Sequence, residues 1–264
     1  MRRLLIVGVL LLCSASSMQA QNIRARPFEI SDNSLLVEEA FNQEAGIFQN
    51  IFLFRAPRSG ADWSVEFTQE WPLRGQRHQF SYTIPFSFGA GSFDDIMLNY
   101  RLQAREEDAA GPAFSPRFSA ILPTGSDSPL RWGAQLNLPV SKQFGDLYLH
   151  ANAGTTIEGI KHPAGESLTL VSPQLAGSVI WRTLPMVHLL VESVAGFEQS
   201  AAALCCETER TTTWLVSPGV RAARNLGSQQ LVLGAAVPIT LSGPKGDASF
   251  LLYFSYELPF RKTP

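Results

Sequence analysis

The stretch Ser249-Phe-Leu-Leu-Tyr-Phe-Ser-Tyr-Glu-Leu-Pro-Phe260 decides the fold class. Counting back from its last residue, Phe260, Leu258, Tyr256, Phe254, Leu252 and Phe250 are all apolar or aromatic. Pro259, Glu257, Ser255, Tyr253, Leu251 and Ser249, which alternate with them, form a mostly polar set. Successive side chains of a strand point to opposite faces, so this stretch has one apolar and one wet face. A strand of that length, apolar on one side and ending in an aromatic, has the signature of a barrel strand that crosses a bilayer.

The same alternation recurs upstream. Trp63, Val65, Phe67 and Trp71 oppose Ser64, Glu66, Thr68 and Glu70, and Phe80, Tyr82, Ile84, Phe86 and Phe88 oppose Gln79, Ser81, Thr83, Pro85 and Ser87. Comparable runs cover 94–103, 131–141 and 146–157. Less regular ones cover 47–55, 114–122, 169–181, 186–197, 212–223 and 230–241. With the terminal strand the total is twelve, an even number as a closed up-and-down barrel requires. Most connections alternate short and long, although 89–92 is a short outer loop and 104–113 a long inner one. Trp63, Trp71, Phe80, Phe88, Tyr100, Phe114, Trp132, Trp181, Trp214, Phe250 and Phe260 fall near strand ends, where interfacial girdles need amphipathic rings. A soluble β-sandwich is the competing reading. So many amphipathic strands would give it more core than two sheets can enclose.

Upstream of the strands, Arg2 and Arg3 precede an apolar run, 4–12, that is too short to span a membrane and reads as an export signal. Cleavage after Ala20 is expected, with Ala15 as the second choice, and a lipoprotein reading of Cys13 is disfavoured by Leu12. Residues 1–20 then form the signal, 21–46 an N-terminal periplasmic segment and 47–264 the barrel. Loss of two of the 21 basic residues leaves 19 against 23 acidic ones, a net charge of −4 that offers no footprint for nucleic acid. Within the segment, Ser34 is placed to cap a short helix over 35–43 that plugs or braces the periplasmic mouth; a plain tether is the alternative.

Several of these residues carry a family likeness. Asn33-Ser-Leu-Leu-Val-Glu-Glu-Ala-Phe-Asn-Gln-Glu-Ala-Gly46, Gln49, Phe67-Thr-Gln-Glu-Trp-Pro72, His78-Gln-Phe-Ser-Tyr-Thr-Ile-Pro85 and Leu122-Pro-Thr-Gly125 resemble outer-membrane transporters of the phenol meta-pathway type. The resemblance covers most of the mature chain and is strongest over 30–130. It implies a barrel that passes small hydrophobic or aromatic compounds, and it transfers no site residues.

The inward faces supply the candidate pore lining. Arg101, Arg117, Arg131, Arg182 and Arg221 are expected to meet Glu66, Glu70, Asp95, Glu192 and Glu257 there, with His150 also pointing inward. Mixed signs argue against strong ion selectivity. Alternatively the pairs brace the wall and conduct nothing. Twelve strands give a lumen between the filled eight-stranded barrel and the open porin. Catalysis finds little support, because His78, His150, His162 and His188 accompany no Gly-x-Ser-x-Gly elbow. His162 with Glu158 and Glu166, or Cys205-Cys206-Glu207, lacks the paired spacing of a zinc site, and no cofactor is implied. The adjacent cysteines suit a strained vicinal disulfide or two thiols. The expected partners are outer-membrane lipid, a small-molecule solute and the barrel-assembly machinery. The expected function is facilitated diffusion of small hydrophobic or aromatic solutes. A non-conducting barrel with an anchoring or assembly role is the alternative, and an outer-membrane lipid hydrolase is more remote.

Overall fold

A computed structural model describes residue 30 and residues 32–260 except 59, 61, 90, 127, 163–164, 203–206, 228 and 243–246. The export signal, its cleavage site, Cys13 and the Cys205–Cys206 pair lie outside the described residues. Among those described, every regular element is a strand.

In chain order the strands are β1 (Ile47–Pro57), β2 (Ser64–Pro72), β3 (His78–Ser87), β4 (Ser92–Phe93), β5 (Ile96–Leu102), β6 (Ala113–Phe114), β7 (Arg117–Leu122), β8 (Leu130–Phe144), β9 (Leu147–Lys161), β10 (Ser167–Leu184), β11 (Val187–Ala201), β12 (Thr208–Leu226), β13 (Gln229–Ala236), β14 (Ile239–Thr240) and β15 (Ser249–Pro259). Twelve of them form the wall, each antiparallel to the next along the chain. The ring closes where β1 pairs with β15, with Phe52 opposite Phe254. Closure removes every open edge that would leave backbone groups unpaired in lipid. The two-residue strands β4, β6 and β14 pair onto β3, β8 and β12.

Proline explains two of these short pieces. The expected runs 114–122 and 230–241 are each broken, by Pro116 between β6 and β7 and by Pro238 between β13 and β14. A proline has no N–H to give the ladder, so pairing lapses around it. The long inner connection 104–113 is an ordered hairpin. Asp108 bridges to Gly111, Arg105 bridges to Phe114, and Lys142 of β8 reaches the Asp108 carbonyl at 2.7 Å and Glu107 at 3.2 Å.

β1 begins and β15 finishes at one end of the barrel, the termini end. The turns Gly145-Asp146 and Pro185-Met186 are tight at that end, and Gly145 takes φ 61°, which suits a residue without Cβ. At the opposite, loop end, β8 to β12 run 15 to 19 residues. A bilayer needs about 9–11, so these strands rise above the lipid band, and polar residues such as Thr208, Glu209 and Arg210 cover the excess.

The two faces of the wall are inverted relative to a water-soluble protein. Leu175, Val179, Trp181, Val191 and Leu233 are each about half exposed on the outside, an apolar surface suited to lipid. Aromatic groups gather at both ends of it. Phe48, Trp71 and Phe260 cluster at the termini end, with Phe48 stacked on Trp71 at 4.6 Å. Phe54, Trp63, Phe86, Phe88 and Phe93 cluster at the loop end. Inside, the fully buried residues include Gln49, Gln79, Ser141, Glu192 and Arg221. One arc of the interior departs from that rule. Tyr148, Ile180, Leu190, Val232, Leu251 and Tyr253 form an apolar cluster facing Ile30 and Leu35.

Candidate functional site

The polar interior is occupied by the chain's own N-terminal segment. The helix expected over 35–43 does not form; the stretch is irregular. Its backbone groups bond to wall side chains instead. Glu192 Oε1 accepts from Leu36 N–H at 2.8 Å and from Val37 N–H at 3.0 Å. Asn152 Oδ1 accepts from Glu38 N–H at 2.9 Å and Asn152 Nδ2 donates to the Glu38 carbonyl at 2.8 Å. Ser141 Oγ accepts from Ala40 N–H at 2.7 Å, Gln103 Oε1 from Asn42 N–H at 3.0 Å and Gln79 Oε1 from Gln43 N–H at 2.6 Å. A helix this short is marginal in isolation, and a wall that satisfies its donors one at a time removes the reason to coil.

These contacts carry the segment around the inside of the wall. Asp32 is held by β1 and β15, where Gln49 Nε2 donates at 2.7 Å, Tyr253 Oη at 2.5 Å and Ser255 Oγ also donates. Arg221 of β12 donates to the Asp32 and Asn33 carbonyls, both at 2.9 Å. Ser34 meets Ser178 of β10 at 2.9 Å rather than capping a helix. The chain then passes β11, β9 and β8 and returns past β5 and β3 to β1. Leu35 fits over Gly234 of β13, where an added Cβ would lie 2.5 Å from a Leu35 methyl. The polar part of this interior is therefore specified by side chains far apart in sequence.

The inward charges converge on two segment carboxylates. Glu38 lies 2.5 Å from Arg117 and 3.2 Å from Arg101. Arg101 also gives a hydrogen to the Phe41 carbonyl at 3.0 Å and lies 3.9 Å from Glu70. Glu39 lies 3.0 Å from Arg221 and 3.6 Å from His150, whose Nδ1 meets Ser141 Oγ at 2.7 Å. Burial pushes the Glu38 carboxyl up, but Arg117 and Arg101 pull harder and leave it below the usual carboxylate range. Asp32 goes the other way: burial dominates and raises it, despite the Ser255 and Tyr253 hydroxyls and Arg221.

The segment lies between two cavities. The one on its loop side has a volume of about 520 Å³ and the one on its termini side about 90 Å³. The larger is amphipathic. Val194, Leu215, Tyr253, Ile51 and Leu53 line it along β11, β12, β15 and β1, together with Glu198, Thr213 and Arg55 of the same strands, while Ser81, Thr83, Asn99, Arg101, Arg117 and Gln135 line it along β3, β5, β7 and β8.

The eleven candidates from sequence fall into three places. Glu70, Arg101, Arg117, His150, Glu192, Arg221 and Glu257 surround the segment, Glu257 accepting from Gln43 Nε2 at 3.2 Å. Glu66 faces the larger cavity beside Arg55. The other three sit at the rims. Asp95 ties a loop by accepting from Thr124 and Gly125 N–H at 3.0 and 2.9 Å and from Ser128 Oγ at 2.5 Å. Arg182 pairs with Asp146 in the β8–β9 turn. Arg131 is the extra residue of a bulge between Leu130 and Trp132, exposed and apart from the residues that line the cavity. The bulge breaks the alternation that had placed it inward. Asp32, Glu38, Glu39 and Arg55 were not singled out from sequence. For Asp32, Glu38 and Glu39 the only signal was a polar segment of unassigned course, and Arg55 lies in the less regular run that became β1.

No family model and no curated protein sequence matches the chain. Solved structures that share its fold include two outer-membrane barrels. An outer membrane channel from Pseudomonas putida F1 is 12% identical, with a TM-score of 0.57 over 83% of this chain and 97% of that one. The NanC porin is 8% identical, with a TM-score of 0.53 over 79% of this chain and 100% of that one. At such identities the likeness is one of fold: this chain is a closed twelve-stranded barrel of the outer-membrane type.

Proposed function

We propose that the protein is an outer-membrane channel through which small hydrophobic or aromatic solutes diffuse, with the segment 32–44 as its floor. The observation that carries this reading is the amphipathic cavity of about 520 Å³ above that floor. A stretch of wall rich in apolar side chains facing a polar one suits a solute with an apolar body and a few polar groups. The named fold neighbours are a channel and a porin, and the sequence likeness to phenol meta-pathway transporters agrees with the solute class. In this reading the export signal is cleaved and the barrel-assembly machinery inserts the chain. The termini end faces the periplasm and the long strands face outward.

For solute to pass, the floor must yield. Ordering a residue costs about 1–2 kcal/mol, while a hydrogen bond contributes about 0.5–1.5 kcal/mol net. A segment held by hydrogen bonds and ion pairs, with Leu35, Val37 and Ala40 as its buried apolar anchors, is therefore closer to balance than the wall. The test is single-channel recording in a planar bilayer, comparing the full mature chain with one lacking residues 21–43, both shown folded by heat-modifiable gel migration. The channel reading expects brief or small openings in the former and larger, longer ones in the latter. Silence in both rejects it in favour of a non-conducting barrel with an anchoring role, a reading favoured by the network that closes the termini end.

A further inference from the structure

We propose that Arg101 and Arg117 form a binding site for the carboxylate of the permeating solute, and that Glu38 is its built-in occupant. The solute class is then a small organic acid with an apolar body, for which benzoate is a suitable probe. This inference rests on the channel reading and narrows it.

The site is built into the wall, whereas its occupant is not. Arg117 stays oriented without Glu38, because its Nη1 donates to Asn99 Oδ1 at 2.9 Å and Ser119 Oγ at 3.1 Å, and its Nη2 to Gln135 Oε1 at 2.7 Å. Arg101 is 3% exposed on the neighbouring strand β5, with Glu70 of the wall 3.9 Å away and the Phe41 carbonyl of the segment accepting from it at 3.0 Å. Two oriented guanidinium groups on one carboxylate make a strong, directional anion site. Glu38 comes from the segment, and its side chain is 22% exposed at the base of the larger cavity. A solute arriving from the loop end meets that carboxylate directly. Replacing Glu38 by another carboxylate leaves neither arginine as an unpaired buried charge, so the exchange avoids the cost of simply pulling Glu38 away. Across the cavity, Ile51, Leu53, Val194 and Leu215 offer the surface that an apolar body would cover. Exchange also removes the two ion pairs of Glu38 and leaves Glu39 with Arg221 to hold the middle of the segment, so occupancy and opening are linked: the solute loosens the element that blocks it. Because Glu38 is tethered, it competes at an effective concentration on the order of millimolar. Benzoate affinity should therefore be weak, and release on the far side easy.

The test measures benzoate, benzyl alcohol and acetate on the full mature protein, with binding read by calorimetry in detergent and opening by planar-bilayer current. Benzoate is expected to bind about tenfold or more tightly than benzyl alcohol, which lacks the charge, and than acetate, which lacks the ring. It should also increase open time. Glu38→Gln should tighten benzoate binding by removing the competitor, and Arg117→Ala should weaken it about tenfold or more while the barrel remains heat-modifiable. If Arg117→Ala fails to fold, Glu38→Gln decides alone. Equal binding of benzoate and benzyl alcohol, or benzoate affinity unchanged in Glu38→Gln, overturns the site. Arg117-dependent benzoate binding without current supports the site and rejects the channel. Current that ignores benzoate rejects the site and leaves the channel.

Discussion

The lipid-facing surface and the segment inside the barrel cover opposite faces of the same strands by opposite means. On the outside, cover is repetitive: every second residue is apolar, and neighbours such as Phe52, Phe67 and Phe254 meet across strands with ring centroids 4.8 and 5.9 Å apart. Cross-strand pairs of this kind contribute about 0.2–1 kcal/mol each, so much of the outer surface is redundant. On the inside, cover is singular. Single wall side chains such as Glu192, Asn152 and Arg221 each serve two backbone groups of the segment, so few contacts have a substitute nearby. The outer face thus holds the barrel in the membrane, while the inner network is both specific and easily undone.

Breaking the outer rule has the largest expected effect. Phe52→Arg places a charge on the lipid face of β1 between two aromatic neighbours and should destabilise the barrel by about 2–4 kcal/mol if it lies at the bilayer midplane. Urea-induced unfolding from lipid vesicles measures this. The inner network should respond differently. Glu192→Ala leaves the buried Val37 N–H and the half-buried Leu36 N–H without their acceptor, a loss of about 1–3 kcal/mol that falls mainly on Val37. The expected result is about a tenfold or greater rise in open probability, with barrel unfolding nearly unchanged.

A smaller effect follows from pH. Glu38, held below its usual range, contributes to seating above its ordinary value of 4.5, and that contribution is lost as pH falls through its lower seated value. Asp32, raised by burial, has the reverse sign: its contribution is present at low pH and is lost as pH rises through its raised value. The two carboxyls oppose each other in sign, so Asp32 offsets part of the response to acid that Glu38 alone would give. Asp32→Asn removes one of them, and its open fraction should climb as pH drops below 4.5. A flat profile in that variant would separate Glu38 from seating.

The same contrast explains what the sequence reveals. Lipid imposes one period on every wall strand, so the alternation around Phe254, Phe67 and Phe80 shows the barrel, its strand number and its closure. Local exceptions blur it: Pro116 and Pro238 interrupt their strands, and the bulge at Arg131 takes one residue out of phase. The interior carries no such period. Ile180, Leu190 and Val232 point inward because Ile30 and Leu35 lie against them, which no strand shows by itself. Leu35, Leu36, Ala40 and Phe41 read as one side of a helix, yet the partners that override this are distant. Arg221 is 189 positions from the Asp32 carbonyl it binds. Sequence places arginines and glutamates inside; only the course of the segment decides how they pair.

In the proposed channel, the lumen opens only when the segment leaves its seat. Ser34 and Ser178, with hydroxyl oxygens 2.9 Å apart, allow it to be locked. In a protein with Cys205 and Cys206 changed to serine, Ser34→Cys with Ser178→Cys should form a disulfide that ties the segment to β10. Planar-bilayer conductance should then be nearly absent under oxidising conditions and return on adding reductant, while each single cysteine variant conducts as the parent does. Equal conductance in the locked and reduced protein would mean that ions pass the seated segment and that it is no gate.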